Sequence, residues 1–222
     1  MTVVYRHYGG NALGDAWRIT QWLLRKSEES GESALVSRHF PINRDGGPEN
    51  IRELIPRAAA LLDSTGTVQL VDHSGPTVPI DGEIWGPLSP PYMRLRDSRY
   101  RWDGGSAGTI CHQFDGVSCA GNKNPPPQDI PLVTQWPNMV RLGLPLTIEE
   151  SLAELARCRL FVGVCSGISH LAHSVGCPMI LIEYRQKIAP WHPDPQGVNP
   201  WIGCHGTQEA IGAVNYLLGL YA

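Results

Sequence analysis

Three stretches of the chain carry residue types and spacings suited to chemistry. The first is Cys165-Ser166-Gly167, which follows an apolar run, Leu160–Val164, and precedes a helical pattern with Ile168, Leu171, Ala172 and Val175 on one stripe. A helix opening on Ser166 and Gly167 points unpaired backbone N–H groups and the positive end of its dipole outward, which favours an anion. His170 lies one turn further on and faces the same side. The second is Lys123, on a glycine-bounded loop that follows the β-prone segment Thr109–Asp115. Its ammonium leaves the same strand edge as Ser166 and suits a phosphate. Gln113 or Asp115 is expected to reach that edge too. The third is the glycine-rich turn Gly9–Asp15, which contains Asn11 and Gly14 and lets backbone approach a ligand closely. It is not GxGxxG, so it carries no dinucleotide fingerprint. Asp15 reads locally as a helix N-cap. Two other chemistries start from the same residues. A thiol at Cys165, just before a helix N-terminus, has the setting of a nucleophile. Zinc held by Cys165, His170 and His173 does not match the usual ligand spacings, so no metal is assigned.

Parallel β-strands with crossover helices would position these residues. Leu160–Val164, the helix that follows, Gly176 as its stop, the Cys177-Pro178 turn and the apolar run Met179–Ile182 make one short strand–helix–strand unit. Such a unit puts the Ser166 turn at the C-terminal edge of a sheet, where ligands bind in open α/β folds. Upstream, Val3–Tyr8, Ser33–Phe40 and Thr67–Val71 read as strands. Ala16–Ser30 and Asn50–Asp63 read as helices, with Pro56 marking an early turn or a kink in the second. From His73 to Gly105 the periodicity is lost among prolines, and the arginine-rich end of that segment reads as a solvated linker. In the second half, Thr109–Asp115 and a short Val140–Leu142 are strands. Thr147-Ile148-Glu149-Glu150 is a capping box opening a helix that ends near Cys158. Thr207–Leu220 is an amphipathic last helix. The segment after Tyr184 is irregular. It contains Arg185, a possible phosphate ligand, and Trp191, for which packing is the ordinary role and stacking on a base the alternative. The fold class is therefore α/β, two small Rossmann-like lobes with parallel sheets and a cleft between them, divided as 1–104 and 105–222.

Gly163, Val164, Cys165, Ser166, Gly167, Ile168, Ser169, His170, Leu171 and Ala172, followed by Gly176 and Pro178, resemble the donor-site motif of GT-B glycosyltransferases. The ADP-heptose:lipopolysaccharide heptosyltransferase family (glycosyltransferase family nine) is the most similar. That family has Gly-Val-Asp-Thr-Gly-x-x-His-Leu-Ala, a helix, then Gly-x-Pro. Ser166 keeps the hydroxyl of the family threonine, whereas Cys165 replaces the aspartate and removes a carboxylate. Gly14-Asp15 resembles the family's N-terminal motif, and Lys123 before Asn124-Pro125 partly matches a lysine before Trp-Pro. The chain is shorter than a typical GT-B enzyme. The resemblance implies an inverting, metal-independent transfer of a hexose or heptose from a nucleotide-diphosphate donor, such as an ADP-, GDP- or UDP-sugar, to an acceptor hydroxyl. It implies Asp15 as catalytic base, and Lys123, Ser166, Gly167 and His170 at the donor phosphates. It implies no cofactor beyond the nucleotide sugar. Acceptors of this class are glycans, proteins or small molecules.

Composition bounds the alternatives. The chain has 222 residues, 42% hydrophobic and 18% charged, with a formal net charge of −3, so no strong field for nucleic acid is offered. No apolar run approaches the ~18 residues of a membrane span. The N-terminus lacks the pattern of a secretory signal. The six cysteines include no CxxC pair and read as free thiols of a cytoplasmic protein. A homodimer fits the small size of the lobes. Besides the transferase, the same residues admit a nucleotide-sugar hydrolase or epimerase, or a non-catalytic sugar-nucleotide-binding or scaffold protein.

Overall fold

A computed structural model of the chain describes residues 3–6, 13–37, 51–80, 93–115, 123–143, 145–184 and 201–220. The chain divides into two compact units, Met1–Asp97 and Ser98–Ala222. Each is an α/β unit built on a parallel sheet.

The first unit holds β1 (Val4–Arg6), α1 (Leu13–Ser30), β2 (Ala34–Ser37), α2 (Ile51–Leu61), β3 (Val68–Val71) and β4 (Val78–Pro79). Its strands lie in the order β3-β2-β1-β4. The registers are Val4 with Leu35, Val36 with Leu70, and Arg6 with Pro79. The core joins Ala16, Ile19, Trp22 and Leu23 of α1 to Ala34 and Val36 of β2, Ile55 of α2, and Ile80. β4 was not anticipated. It is two residues long and contains a proline, which a sheet accepts at its edge because no ladder N–H is demanded there. Helix α2 runs unbroken through Pro56. Part of the expected linker belongs to this unit: Leu95 bridges Leu62, Asp63 N–H donates to Arg94 O, and Arg96 N–H donates to Leu61 O. Trp102 belongs to the second unit, its backbone N–H donating to Val175 O and its indole to Cys158 O.

The turn before β3 packs tightly on α1. Glu28 accepts from the Ser64 hydroxyl at 2.6 Å and from Thr65 N–H at 3.1 Å, and Ser27 Oγ accepts from Thr67 N–H at 2.8 Å. A Cβ on Gly66 would sit 2.2 Å from the Leu24 carbonyl oxygen, a backbone atom that cannot swing away. Gly66→Ala is therefore expected to cost about 2 kcal/mol through forced backbone movement. Differential scanning calorimetry should show the first unit's Tm lowered by roughly 10 °C, with the second unit unchanged.

The second unit holds β5 (Ile110–Gln113), a 3-10 turn at Pro127–Asp129, α3 (Ile130–Val133), β6 (Met139–Arg141), α4 (Ile148–Arg157) and β7 (Leu160–Gly163). These are followed by α5 (Gly167–Val175), β8 (Met179–Glu183), β9 (Trp201–His205) and α6 (Thr207–Leu220). The strand order is β6-β5-β7-β8-β9. One face of the sheet carries Ile110, Leu160, Val162, Val164, Ile180, Ile182 and Cys204, packed with Val133 of α3 and with Ala210, Val214 and Leu217 of α6. The expected capping box is present: Thr147 N–H and its hydroxyl both meet Glu150 Oε2, and Glu150 N–H donates to Thr147 Oγ1 at 3.2 Å. Gly176 ends α5 in the left-handed region, φ 89°, the conformation a helix C-terminus asks of glycine. β9 lies in the stretch expected to be irregular, and its Trp201 is a strand residue.

Candidate functional site

In the second sheet β5 pairs with β6 on one side and with β7 on the other. The chain leaves β5 toward one edge and returns through β7 toward the opposite edge. Neighbouring crossovers therefore diverge at the C-terminal ends of β5 and β7, the position where α/β sheets open a crevice for ligands. Gln113 ends β5, and Gly163 ends β7 directly opposite it. Val164 N–H donates to Gln113 O at 3.1 Å, and a Cβ on Gly163 would lie 2.6 Å from the same oxygen. The small-residue turn thus follows from how closely two backbones approach here.

Ser166 then begins α5 in an extended conformation, φ −151° and ψ 178°. Its N–H donates to Ser169 Oγ at 3.1 Å, and Ser169 Oγ donates back to Ser166 O at 2.7 Å. Its hydroxyl donates to Gln113 Oε1. Ser166 and Gln113 are only 8% and 9% exposed, while Cys165 and Gly167 are half-buried. The hydroxyl expected to donate to a phosphate donates its hydrogen bond to Gln113 Oε1 instead. The donors left at this tip are the backbone N–H groups of the first turn of α5. His170 is buried one turn further along, and His173 is buried beyond it.

The first sheet has its own switch point, between β1 and β4, since β1 pairs with β2 on one side and with β4 on the other. Helix α1 follows β1 by way of residues 7–12, so Asn11 lies outside the described residues. The helix begins at Leu13 rather than at Ala16. Gly14 and Asp15 are therefore inside its first turn, and Asp15 is not the N-cap. Gly14 is buried and Asp15 half-buried. A carboxylate in a first turn is favoured by the helix dipole. Arg18, one turn on, is buried.

Of the remaining expected residues, Lys123 is half-buried in the connection from β5 to β6, and Arg185 and Trp191 lie outside the described residues. Asp115 is paired with Arg141 at the end of β6. Burial, and then Arg141, hold the His112 pKa below its ordinary value. Two polar sets along the same strand edge were not foreseen. Tyr184, at the end of β8, exchanges a hydrogen bond with Thr207 at 3.2 Å, and Thr207 donates to Asp129 at 2.6 Å. Burial pushes the Tyr184 pKa up. Glu183 lies 2.9 Å from His205, its register partner on β9. The second set follows from β9, which local pattern did not reveal. Among the described residues, no three His, Cys, Asp or Glu side chains are disposed to hold a metal ion, and no helix is long and apolar enough to cross a membrane.

Comparison of the chain with protein-family models, with curated proteins and with solved structures finds no match. The functional reading therefore rests on the sheet edges. They offer a helix tip suited to an anion, a lysine in the adjoining connection, and in the other unit a first-turn carboxylate.

Proposed function

We propose that the protein is a glycosyltransferase similar to the ADP-heptose:lipopolysaccharide heptosyltransferases, moving a hexose or heptose from a nucleotide-diphosphate sugar to an acceptor hydroxyl with inversion. The observation that carries this reading is the coincidence of motif and topology. Ser166 and Gln113, 53 positions apart in the chain, meet at the switch point of the second sheet. In the proposed reaction the donor diphosphate lies on the N-terminal turn of α5, with the Lys123 ammonium as counter-charge. The acceptor oxygen attacks the anomeric carbon and the bond from that carbon to the diphosphate oxygen breaks. The acceptor proton passes to the Asp15 carboxylate. No step requires a cofactor beyond the nucleotide sugar.

A thermal-shift screen of the whole chain against ADP-, GDP-, UDP- and dTDP-sugars tests the binding half. A matching donor at a hundred times its Kd adds about 2.7 kcal/mol to the unit that binds it. A raised Tm with one base, and none with the others, is the expected result; no shift with any of the four overturns the reading. Cys165, at the position of the family aspartate, favours a second reading, a non-catalytic nucleotide-sugar-binding protein. That protein would give the same shift but leave the donor intact with every acceptor tried.

A further inference from the structure

The crossover that carries the Ser166 turn ends on a carboxylate. β7, α5 and β8 make one strand–helix–strand unit whose strands are direct neighbours, with Gly163 level with Leu181. Glu183 closes β8, roughly twenty positions beyond Gly163. In α/β units that bind a nucleotide, the diphosphate lies at the helix N-terminus, and an acidic side chain at about that distance along the chain accepts a hydrogen bond from the ribose. The faces of the sheet agree with such a placement. Ile180 and Ile182 point to the side covered by α3 and α6, where they share a core with Val133, Ala210 and Val214. Successive strand residues alternate in direction, so Glu183 projects from the other side with Met179 and Leu181. α5 lies on that other side: it packs with α4, and its buried Ile168, Leu171, Ala172 and Val175 stand outside the α3–α6 core. Glu183 and the Ser166 turn therefore share one edge and one face of the sheet.

The carboxylate is held from the next strand. His205 Nδ1 lies 2.9 Å from Glu183 Oε2, and because a carboxylate only accepts, the ring nitrogen is the donor. The two residues are register partners on β8 and β9. His205 is itself fixed at the end of β9, where its backbone N–H donates to Glu209 Oε2 of α6 at 2.5 Å. The Glu183 side chain is 12% exposed and that of His205 77%. An ion pair with one partner so open to water adds little to stability, so bracing β9 is a small return for this pair. A carboxylate has about four lone-pair positions, and the bond from His205 takes one of them. The side chain is thus oriented by one oxygen and retains lone pairs on the other, Oε1.

We propose that Glu183 accepts a hydrogen bond from the ribose 2′-hydroxyl of the nucleotide, with His205 as the positioning residue that aims the carboxylate. The inference rests on the nucleotide-sugar reading above and narrows it: the substrates are ribonucleotide sugars, of ADP, GDP or UDP, and the dTDP-sugar, which lacks that hydroxyl, is the poorest of the four donors. The physical reason is an asymmetry. A site built to bond a hydroxyl discriminates strongly against the analogue without it, because the protein group is then left desolvated and without its partner.

The test is isothermal titration of the whole chain with ADP, GDP and UDP, each set against its 2′-deoxy counterpart. For the base that binds, the ribonucleotide should bind roughly 10- to 100-fold more tightly than the deoxynucleotide. In Glu183→Ala that ratio should fall to within about twofold of one, through weaker binding of the ribonucleotide with the deoxynucleotide nearly unchanged. In His205→Ala the ratio should fall to an intermediate value. A substitution that merely disturbs the sheet edge weakens both nucleotides alike and leaves the ratio standing, so the ratio isolates the contact with the hydroxyl. Should Glu183→Ala fail to fold, Glu183→Gln, which keeps the shape and removes the charge, is read in the same way. Equal binding of the two nucleotides by the parent overturns the proposal and leaves the nucleotide-sugar reading intact, as does a ratio that survives loss of the Glu183 carboxylate. Binding of none of the six nucleotides overturns both.

Discussion

Asp15→Asn should lower kcat by about 10²- to 10⁴-fold, the usual contribution of a positioned general base, while donor affinity stays within about twofold. The substitution keeps the shape of the side chain and removes only the ability to accept the acceptor proton. Its structural cost is bounded. Asp15 occupies the first turn of α1, and loss of a charge there costs about 0.3–1 kcal/mol of helix stabilisation. Gly14, Ala16 and Trp17 stay buried around it. A circular-dichroism melt within a few degrees of the parent, with turnover collapsed and the donor-induced thermal shift intact, is the expected combination. Unchanged turnover would remove Asp15 from the mechanism. Lost binding together with lost turnover would place it among the donor contacts instead. A glutamate at the same position, one methylene longer, should recover only part of the rate, because the base must meet the acceptor hydroxyl at hydrogen-bond distance.

The legible and illegible parts of this chain separate by physical cause. β7 and β8 could be read from sequence because strands buried on both faces are continuous apolar runs, and Leu160–Gly163 and Met179–Ile182 are such runs. The α4 start was legible because the Thr147–Glu150 box is a bond between residues three apart. β4 and β9 were not. Val78–Pro79 is too short to show a period, and Trp201–His205 mixes a tryptophan, a glycine and a histidine whose strand character comes from pairing with β8. The early start of α1 was missed because Gly14 disfavours helix locally, and the burial of Gly14 and Ala16 overrides that preference. The candidate site was half legible. Sequence put Ser166 at a helix start and Gln113 on the strand Thr109–Asp115, since each depends on near neighbours. It could not show that the serine hydroxyl points at the glutamine, because that contact depends on which strand lies beside β5. The Tyr184–Thr207–Asp129 chain depends on the same long-range order.

That contact supplies the second large effect. Gln113 is a positioning residue in the proposed site: its Oε1 accepts from Ser166, and its amide nitrogen faces the glycine turn at Gly143, where a Cβ would come within 3.7 Å of Nε2. Ser166→Ala strips a buried carbonyl oxygen of its donor, and Gln113→Leu strips a buried hydroxyl of its acceptor. Leaving one such group unpaired costs about 1–3 kcal/mol. The first turn of α5 is set by the same serine, so part of that cost should appear as lost donor affinity, roughly 5- to 150-fold in Kd by isothermal titration. The two single variants should each weaken binding. The double variant, with neither polar group left behind, should lose less than the sum of the two, with a coupling of about 0.5–3 kcal/mol. A KM that rises with kcat nearly constant would mark the pair as holding the ground state and the transition state alike. Strictly additive losses in stability, with donor affinity untouched in all three variants, would mean that the bond braces the sheet edge and that the nucleotide lies elsewhere. The cycle therefore separates a fold contact from a ligand contact, a distinction that neither single variant can make.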